Sequence, residues 1–449
     1  MNRRLIAIAA VTLFLSVSAT ADDSSATKLI VHEWGTFTSL QNEAGDTLGG
    51  INIDDEPVPK FVHRPGNLWF IEHLQKVALI YFSQGAPQFH PDVTMRLETP
   101  VVYFYPVNGF KGPFDVSARF RGGWLTEYYP NADVSVPGYP GKLTAETEST
   151  ITWKGLILTA KPPTPETIEH VWLAPRRVNA ASVTAPSKET EKYLFYRGVA
   201  NLPAPLRVQR NRDETLSIYA QVSTAALPSG GLNIAALWLV SIDDKLRVAY
   251  QRIEAMQLGV NPAMEHARVP AGFAVSNHAS GNLGRLRAEM KATLRKEGLF
   301  DEEAEAMLST WELSYFKSPG LRLFFTVPRE WTDHVLPLSI SVPSKITRVM
   351  VGRIELVTPA QRARVKRFFE NQEPANLEAL GKLVYGEYQR LAEAGKRDEA
   401  EQMFRTPLPE LAQRYNFKLD PATQDYLDLG RFRDAIIEDE RKTSRTNSP

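Results

Sequence analysis

The residues best suited to chemistry are the histidines of the first hundred positions. His32, His63 and His90 lie there, and carboxylates are close to them in the sequence. Neutral imidazole and carboxylate groups bind Zn²⁺ and other divalent first-row metals, which activate water for hydrolysis. This composition predicts a metal site, with Glu98 as candidate general base. The alternative at His32 is a structural histidine packed on Trp34, because alternate residues of a strand share a face.

A second group of residues is suited to ligand binding. Aromatic residues are dense between positions 103 and 153, among prolines and glycines. Exposed rings in loops stack on sugars, so Trp124 and Tyr128 are the candidate stacking residues. Lys192 and Arg197 are candidate cations for a carboxylate or a phosphate. The alternatives are that the rings belong to the core, where each buries a large apolar area, and that the charges are simply solvated.

The motifs of several large enzyme classes are absent from this chain. It has no Gly-x-Ser-x-Gly elbow, phosphate loop, dinucleotide fingerprint or His-Glu-x-x-His helix. It also has no cysteine, which excludes disulfides, thiolate metal ligands and a cysteine nucleophile. Scattered catalytic groups stay compatible with the sequence, since a triad is recognised by geometry rather than by sequence position.

The N-terminus has the pattern of a secretory signal peptide. Arg3 and Arg4 precede an apolar run to Val17, and Ala21 ends a small-x-small cleavage site. The run is too short for a membrane span of about 20 residues. Cleavage after Ala21 predicts a periplasmic or secreted soluble protein without a membrane span in the mature chain.

The charge balance argues against a nucleic-acid partner. The whole chain carries 52 Lys+Arg and 52 Asp+Glu, and loss of the two N-terminal arginines would leave a net charge of −2. Nucleic-acid-binding domains are usually strongly basic.

The body of the chain has the pattern of short strands separated by proline- and glycine-rich turns. Residues 114–120 alternate between apolar and polar, and 100–106 is an apolar run that two prolines are expected to end. Such spacing predicts an α+β fold with a predominantly antiparallel, sandwich-like β body. The predicted segments are a signal peptide (1–21), a β-rich domain (28–260), a helical hairpin with returning strands (261–357), a C-terminal helical region (358–440) and a disordered tail (441–449).

Helical periodicity replaces alternation in two places. Apolar stripes over 283–316 predict an αα-hairpin, which Gly298 divides by ending its first helix. Thr358 and Pro359 then have the types expected at a helix start. Gly395 and Gly430 stand in a near-repeat of 35 positions that partly resembles tetratricopeptide helix pairs. The alternative is a helical cap on the β body, and such helices can also contact a protein partner.

The segment His32-Glu-Trp-Gly-Thr-Phe-Thr38 resembles the start of the mature domain in a group of exported bacterial proteins of unknown function. Later segments are similar to the same group: 99–105, 124–130, 193–198 and 351–357. The resemblance covers most of the mature chain and implies an exported bacterial protein. It implies no particular activity.

Two functions from different classes follow from these patterns. The first is an envelope-associated or secreted protein that binds a glycan or a peptide through Trp124, Tyr128 and Arg197. The second is a metal-dependent hydrolase outside the cytoplasm, with a divalent metal at His32, His63 and His90. Convergence of the three imidazoles would favour the hydrolase, and exposed aromatic rings would favour the binding protein.

Overall fold

A computed structural model describes residues 26–53, 58–66, 82–83, 86–221, 231–259, 261–370, 375–396, 399–400, 403 and 408–446. The predicted signal peptide lies outside these residues. No helix in the described ranges combines the length and the apolar character that crossing a bilayer requires.

Strands build the body of the molecule. In chain order they are β1 Leu29–Gln41, β2 Phe82–Ser83, β3 Ala86–Pro87, β4 Met95–Pro106, β5 Phe114–Arg121, β6 Gly123–Tyr129, β7 Asp133–Ser135, β8 Glu148–Thr159, β9 Ser182–Thr184, β10 Thr190–Glu191, β11 Leu194–Ala200, β12 Leu206–Arg210, β13 Thr215–Ala220, β14 Leu232–Ile234, β15 Leu237–Ile242, β16 Val248–Ile253, β17 Met256–Leu258, β18 Glu265–Pro270, β19 Gly320–Val327, β20 Leu338–Ile340 and β21 Ser344–Leu356.

Helices fall into three groups. One follows β8: α1 His170–Arg176. Three flank β19: α2 Gly281–Lys296, α3 Asp301–Thr310 and α4 Arg329–Val335. The C-terminal group is α5 Pro359–Glu370, α6 Ala375–Glu393, α7 Leu408–Arg414, α8 Pro421–Asp428 and α9 Arg433–Thr446. Residues 441–446, predicted to belong to a disordered tail, thus form the end of α9.

One large sheet organises the body. Its order is β10-β9-β8-β6-β11-β4-β1-β21-β19-β15-β16, and β5, β7 and β20 pair beside this path. The central pair β1–β21 is parallel, and the other long pairings are antiparallel. The sheet therefore joins strands from both predicted segments, 28–260 and 261–357.

Strand β1 is buried along almost its whole length because both faces of the sheet are covered. Val31 and Phe37 belong to an apolar cluster with residues of β5 and β8, which are strands of the same large sheet, and of β13, which lies in a separate three-stranded sheet with β12 and β18. Trp34, on the other face, belongs to a cluster with residues of α2 and α3. The predicted α+β fold with a mainly antiparallel, sandwich-like body is confirmed.

Strand β4 differs from the prediction at its first proline. Pro100 was expected to end a strand, yet β4 runs through it from Met95 to Pro106. The register between β1 and β4 shifts between Trp34 and Thr36, opposite this proline. A bulge tolerates a residue that lacks a backbone N–H. Gly35 makes room there, since a Cβ on it would lie 3.0 Å from the Pro100 Cα.

The predicted helical hairpin is present as α2 and α3. Gly298 follows α2 with a φ of +114°, a conformation that glycine adopts easily. The Leu299 N–H donates to the Leu294 carbonyl and the Gly298 N–H to the Arg295 carbonyl, which is the Schellman pattern. The two leucines also share the apolar cluster beneath the hairpin.

The C-terminal helices begin where the sequence predicts. Thr358 and Gln361 form a capping box: the Gln361 Oε1 accepts from the Thr358 N–H at 2.9 Å, and the Thr358 hydroxyl accepts from the Gln361 N–H at 3.3 Å. Gly395 and Gly430, at φ +77° and +83°, lie just beyond the ends of α6 and α8.

The C-terminal group packs in two parts. Helices α5 and α9 share an apolar cluster with the body, whereas α6 and α7 form a cluster of their own. On α6, Leu383 and Tyr385 remain exposed. The tetratricopeptide resemblance and a protein contact through these helices stay predictions.

Candidate ligand-binding site

The three predicted metal ligands have different partners. His32 is buried, and its Nδ1 lies 2.8 Å from the Glu303 Oε2. The His63 Nε2 lies 2.7 Å from the Glu189 Oε1, and the His90 Nε2 lies 2.8 Å from the Gly141 carbonyl oxygen. Among the residues that the structure describes, no group of three or more His, Asp or Glu is placed to hold a metal ion. The divalent metal, and the hydrolase that would use it, stay predictions.

The predicted stacking residues lie inside the protein. Trp124 is fully buried in the cluster beneath α5 and α9, and its Nε1–H donates to the Pro137 carbonyl at 3.0 Å. Tyr128 is also buried, and so is Arg197, whose Nε donates to the Glu127 carboxylate. The structure therefore presents neither an exposed indole face at Trp124 nor a free guanidinium at Arg197.

Glu98, the candidate base, lies in a network of donors. Its Oε2 accepts from the Thr38 and Tyr315 hydroxyls, each at 2.9 Å. Guanidinium nitrogens of Arg96 and Arg353 lie 3.6 Å from its Oε1. Glu98 is thereby held as a member of a buried charge network.

Glu98 and further buried charged residues lie on five strands on either side of β1, and we name this set of residues the charged strip. Its members are Arg96, Glu98, Glu127, Arg197, Arg322, Arg353 and Glu355, on β4, β6, β11, β19 and β21. Thr38 of β1 lies in register with Arg96 on one side and with Arg353 on the other. Five sequence segments resemble the group of exported proteins. Four of these segments contain a residue of the strip or Thr38.

Cross-strand register explains why opposite charges meet in the strip. Arg197 is paired with Glu127, and Arg322 is paired with Glu355. Burial alone would raise the pKa of Glu127, but Arg197 and Arg64 outweigh it, so the pKa is lowered.

Arg322 shows that cations crowd one end of the strip. Burial, together with Arg353 and Arg431, lowers the pKa of Arg322 to about 10, although Glu355 opposes this shift. Its guanidinium donates to the carbonyls of Tyr315 and Ser318, each at 2.8 Å. These contacts are typical of a structural role, since the side chain is almost entirely removed from solvent.

An open cavity lies elsewhere, at the end of β4, and we name it the lysine cleft. Its volume is about 570 Å³, within the usual range of small-molecule sites of about 300–1,000 Å³. It is lined by Tyr105, Pro106, Gly109, Phe110, Lys111, Leu158, Thr159, Ala160, Asn179, Ala180, Ala181 and Lys192. The walls are mostly apolar, and two ammonium groups stand among them.

The two lysines differ in how tightly they are held. Lys192 is half-buried, and its Nζ donates to the Ala180 carbonyl at 2.9 Å. Lys111 is exposed. Lys28 lies nearby, with its Nζ 5.7 Å from the centre of the Phe110 ring. These ammonium groups give the cleft a positive field, which attracts anions.

A hydrogen-bonded group from the inserted hairpin supports one wall of the cleft. The Tyr105 hydroxyl donates to the Glu303 Oε1 at 2.8 Å, and the Asn179 N–H donates to the Glu302 Oε2 at 2.8 Å. The Phe300 ring, 47% exposed, lies 5.0 Å from that of Tyr105. Two consecutive glutamates in the first turn of α3 thus hold two lining residues.

The sequence identifies only part of this cleft. Lys192 was a candidate cation for a carboxylate or phosphate, and it does line the cavity. Tyr105 is distinguished only as one of the dense aromatic residues between positions 103 and 153. Lys111 and Phe300 have no distinguishing signal, since Phe300 simply precedes a helix far along the chain. Only the packing of α3 against β1 and β4 brings them together.

Comparison with known proteins gives no identity. No family model matches the chain, and no curated protein matches it. Among solved structures, the chain is similar to the Fcho1 Mu homology domain of Danio rerio with bound Eps15 peptide. The two chains are 8% identical, and the match covers 74% of this chain and 96% of that one, with a TM-score of 0.27. A likeness at that level carries no argument about function.

Proposed function

We propose that this chain is an exported binding protein whose anionic ligand occupies the lysine cleft. The observation that carries the proposal is a cavity of about 570 Å³ in which Lys111 and Lys192 stand among apolar walls. A few placed polar groups in an apolar cavity are typical of ligand sites, where they fix orientation and specificity.

The electrostatics of the cleft favour an acidic ligand. Lys192 uses one N–H on the Ala180 carbonyl, and an ammonium group has three donors and no acceptor. Lys192 therefore keeps two donors for a ligand, and Lys111 adds a second cation. The carboxylates of Glu302 and Glu303 contact lining residues. Glu303 is buried and occupied by hydrogen bonds from protein groups, and Glu302 is exposed and accepts from the Asn179 N–H at 2.8 Å.

Binding measurements with probes of opposite charge test this proposal. We expect an acidic oligosaccharide or an acidic peptide to bind, and neutral and basic analogues of equal size to bind at least tenfold more weakly. Replacement of both lysines, Lys111→Gln with Lys192→Gln, should weaken acidic-probe binding by tenfold or more, since a hydrogen bond to a charged group contributes about 1.5–3 kcal/mol. Isothermal titration calorimetry measures both quantities.

Lys245→Gln is the matched control. Lys245 is exposed in the turn between β15 and β16, at the opposite edge of the sheet. The control should bind like the unaltered protein. Equal binding by the double lysine variant and the control would contradict the proposal, as would a preference for neutral probes.

Export is proposed from the N-terminal pattern alone. Cleavage after Ala21 would release the mature chain into the periplasm or the medium. Sequencing the N-terminus of the protein recovered from these fractions tests it, and a chain that keeps Met1 and stays with the membrane would contradict it.

A further inference from the structure

The hydrogen-bond inventory of the lysine cleft restricts the ligand further than its charge does. Tyr105 is a donor and an acceptor in principle, because a phenol has one O–H and lone pairs on its oxygen. Its O–H is already donated to the Glu303 Oε1 at 2.8 Å. The Tyr105 oxygen can therefore still accept a hydrogen bond from a ligand, but it has no hydrogen left to donate.

The surroundings of Glu303 hold its carboxylate in place to accept the Tyr105 hydrogen. Besides Tyr105, its carboxylate lies within hydrogen-bond distance of the His32 Nδ1 at 2.8 Å and accepts from the Phe300 N–H at 2.7 Å. Its side chain is completely buried. A buried acceptor that loses a donor pays the desolvation of that group, so the arrangement resists rotation of the Tyr105 hydroxyl away from Glu303.

Tyr105 also stays protonated over the accessible pH range. Burial, and then the nearby Glu303, raises its pKa well above the usual value for tyrosine. The phenol therefore remains neutral beside the two lysines.

We propose that the lysine cleft takes a sugar acid, with Lys111 and Lys192 on its carboxylate and the Tyr105 oxygen accepting from one of its hydroxyl groups. This inference rests on the proposed function and names its ligand class. Glu303 is a positioning residue in this arrangement, since it acts on the ligand only through Tyr105.

The aromatic surroundings favour a sugar over an acidic peptide. Phe110 lines the cleft, and the exposed Phe300 ring lies beside Tyr105. Aromatic rings offer broad apolar faces, which suit the C–H face of a pyranose. An aspartate- or glutamate-rich peptide would satisfy the lysines, and its backbone N–H groups could donate to Tyr105, but it offers no apolar ring face for Phe110 and Phe300.

Calorimetric titration with four probes tests the inference. They are glucuronate oligosaccharide, the neutral glucose oligosaccharide of equal length, cyclohexanecarboxylate and triglutamate. We expect the glucuronate oligosaccharide to bind at least tenfold more tightly than each of the others. Tyr105→Phe should weaken glucuronate binding about fivefold, as expected for loss of one hydrogen bond, and should leave cyclohexanecarboxylate binding unchanged.

A double-mutant cycle isolates the role of Glu303. If Glu303→Gln acts through Tyr105, its effect on glucuronate affinity disappears in the Tyr105→Phe background. Tyr103→Phe is the matched control for loss of a buried phenol, because the Tyr103 hydroxyl donates to the Pro175 carbonyl outside the cleft. It should lower the melting temperature and leave affinity unchanged.

The outcomes separate the two proposals. Equal binding of glucuronate and cyclohexanecarboxylate, tighter binding of triglutamate, or additive effects in the cycle would overturn the sugar-acid inference while the anionic cleft remained. Failure of all three acidic probes, or their undiminished binding to the double lysine variant, would overturn the proposed function itself.

Discussion

The charged strip and the lysine cleft both collect cations, but they do so in opposite ways. In the strip, Arg353 is completely buried. It donates to the Thr38 hydroxyl and the Ser314 carbonyl, and it lies near the Glu98 and Glu355 carboxylates. In the cleft, Lys111 is exposed and Lys192 half-buried beside an open volume. A planar guanidinium satisfies many fixed acceptors, whereas a flexible ammonium keeps donors for another molecule. A cation suited to ligand binding is therefore one whose donors the fold leaves available.

The largest expected effect is a loss of stability in alkali. It tests whether burial controls the pKa values of side chains in the protein interior. Burial raises the pKa of Tyr103, Tyr193, Tyr196 and Tyr315. Tyrosine in the unfolded chain ionises near pH 10, so above that pH the unfolded state releases protons that the folded state keeps. The stabilisation is complete below about pH 10 and should then fall by about 1.4 kcal/mol per pH unit for each such tyrosine.

The titration of Arg322 changes stability in the direction opposite to that of the tyrosines. Its folded pKa is lowered to about 10, so the folded state releases this proton before the unfolded state does, and stability rises with pH through this group. One arginine opposes four tyrosines, and the net change is a loss. Urea unfolding at about pH 8 and pH 11 measures it, with phenolate absorbance as a second signal. Unchanged stability at the higher pH would contradict the dominance of burial.

Arg353→Ala is expected to have the next largest effect. The substitution removes donors to the Thr38 hydroxyl and the Ser314 carbonyl, and a guanidinium 4.0 Å from the Tyr315 ring centre. Breaking a buried ion pair by removing one partner costs about 3–5 kcal/mol. Chemical denaturation should show this loss. Arg353→Lys should recover only part of the lost stability, because lysine lacks the planar guanidinium group with its several fixed donors. A loss below about 1 kcal/mol would mean that the strip is not a structural network.

Phe300→Ala is expected to have an intermediate effect, because the ring packs on His32 and on the cleft residue Tyr105 but is partly exposed. Its ring lies 4.6 Å from His32 and 5.0 Å from Tyr105, yet it is 47% exposed. Truncation should cost about 1–2 kcal/mol, less than a buried phenylalanine, since much of the ring is already in water. Affinity for an acidic sugar should fall a few-fold. A loss of stability without any change in affinity would show that the Phe300 ring does not contribute to ligand binding.

The smallest expected effect on stability belongs to the double variant Lys111→Gln, Lys192→Gln. Surface substitutions usually change stability by less than about 0.5 kcal/mol, so this variant should unfold almost like the unaltered protein. The contrast with Arg353→Ala distinguishes cations that stabilise the fold from cations that remain available to a ligand. Thermal melting measures both, and a large loss in the lysine variant would place these side chains in the structural framework.

Periodicity and local signals predicted much of the fold. The hairpin over 283–316, its end at Gly298 and the helix start at Thr358 are recoverable because they depend on residues close in sequence. The candidate site was predicted less well. Trp124 and Tyr128 were interpreted as possible surface rings, but packing of α5 and α9 against the body buries the indole. His32 lies beside Tyr105 and Glu303 because α3 packs across β1, a contact that spans 271 positions.

Many of the strand and helix segments, the hairpin turn at Gly298 and the lack of cysteine chemistry were predictable from the sequence. These properties depend on side-chain alternation, helical stripes, capping residues and composition, all of which act locally. Three features depend on packing between distant segments: β1 and β21 pair in parallel, Arg197 and Glu98 are buried in the strip, and Lys111 and Lys192 line one cavity. Those outcomes depend on register and packing between distant segments, and a linear pattern of residues does not encode the distances between them.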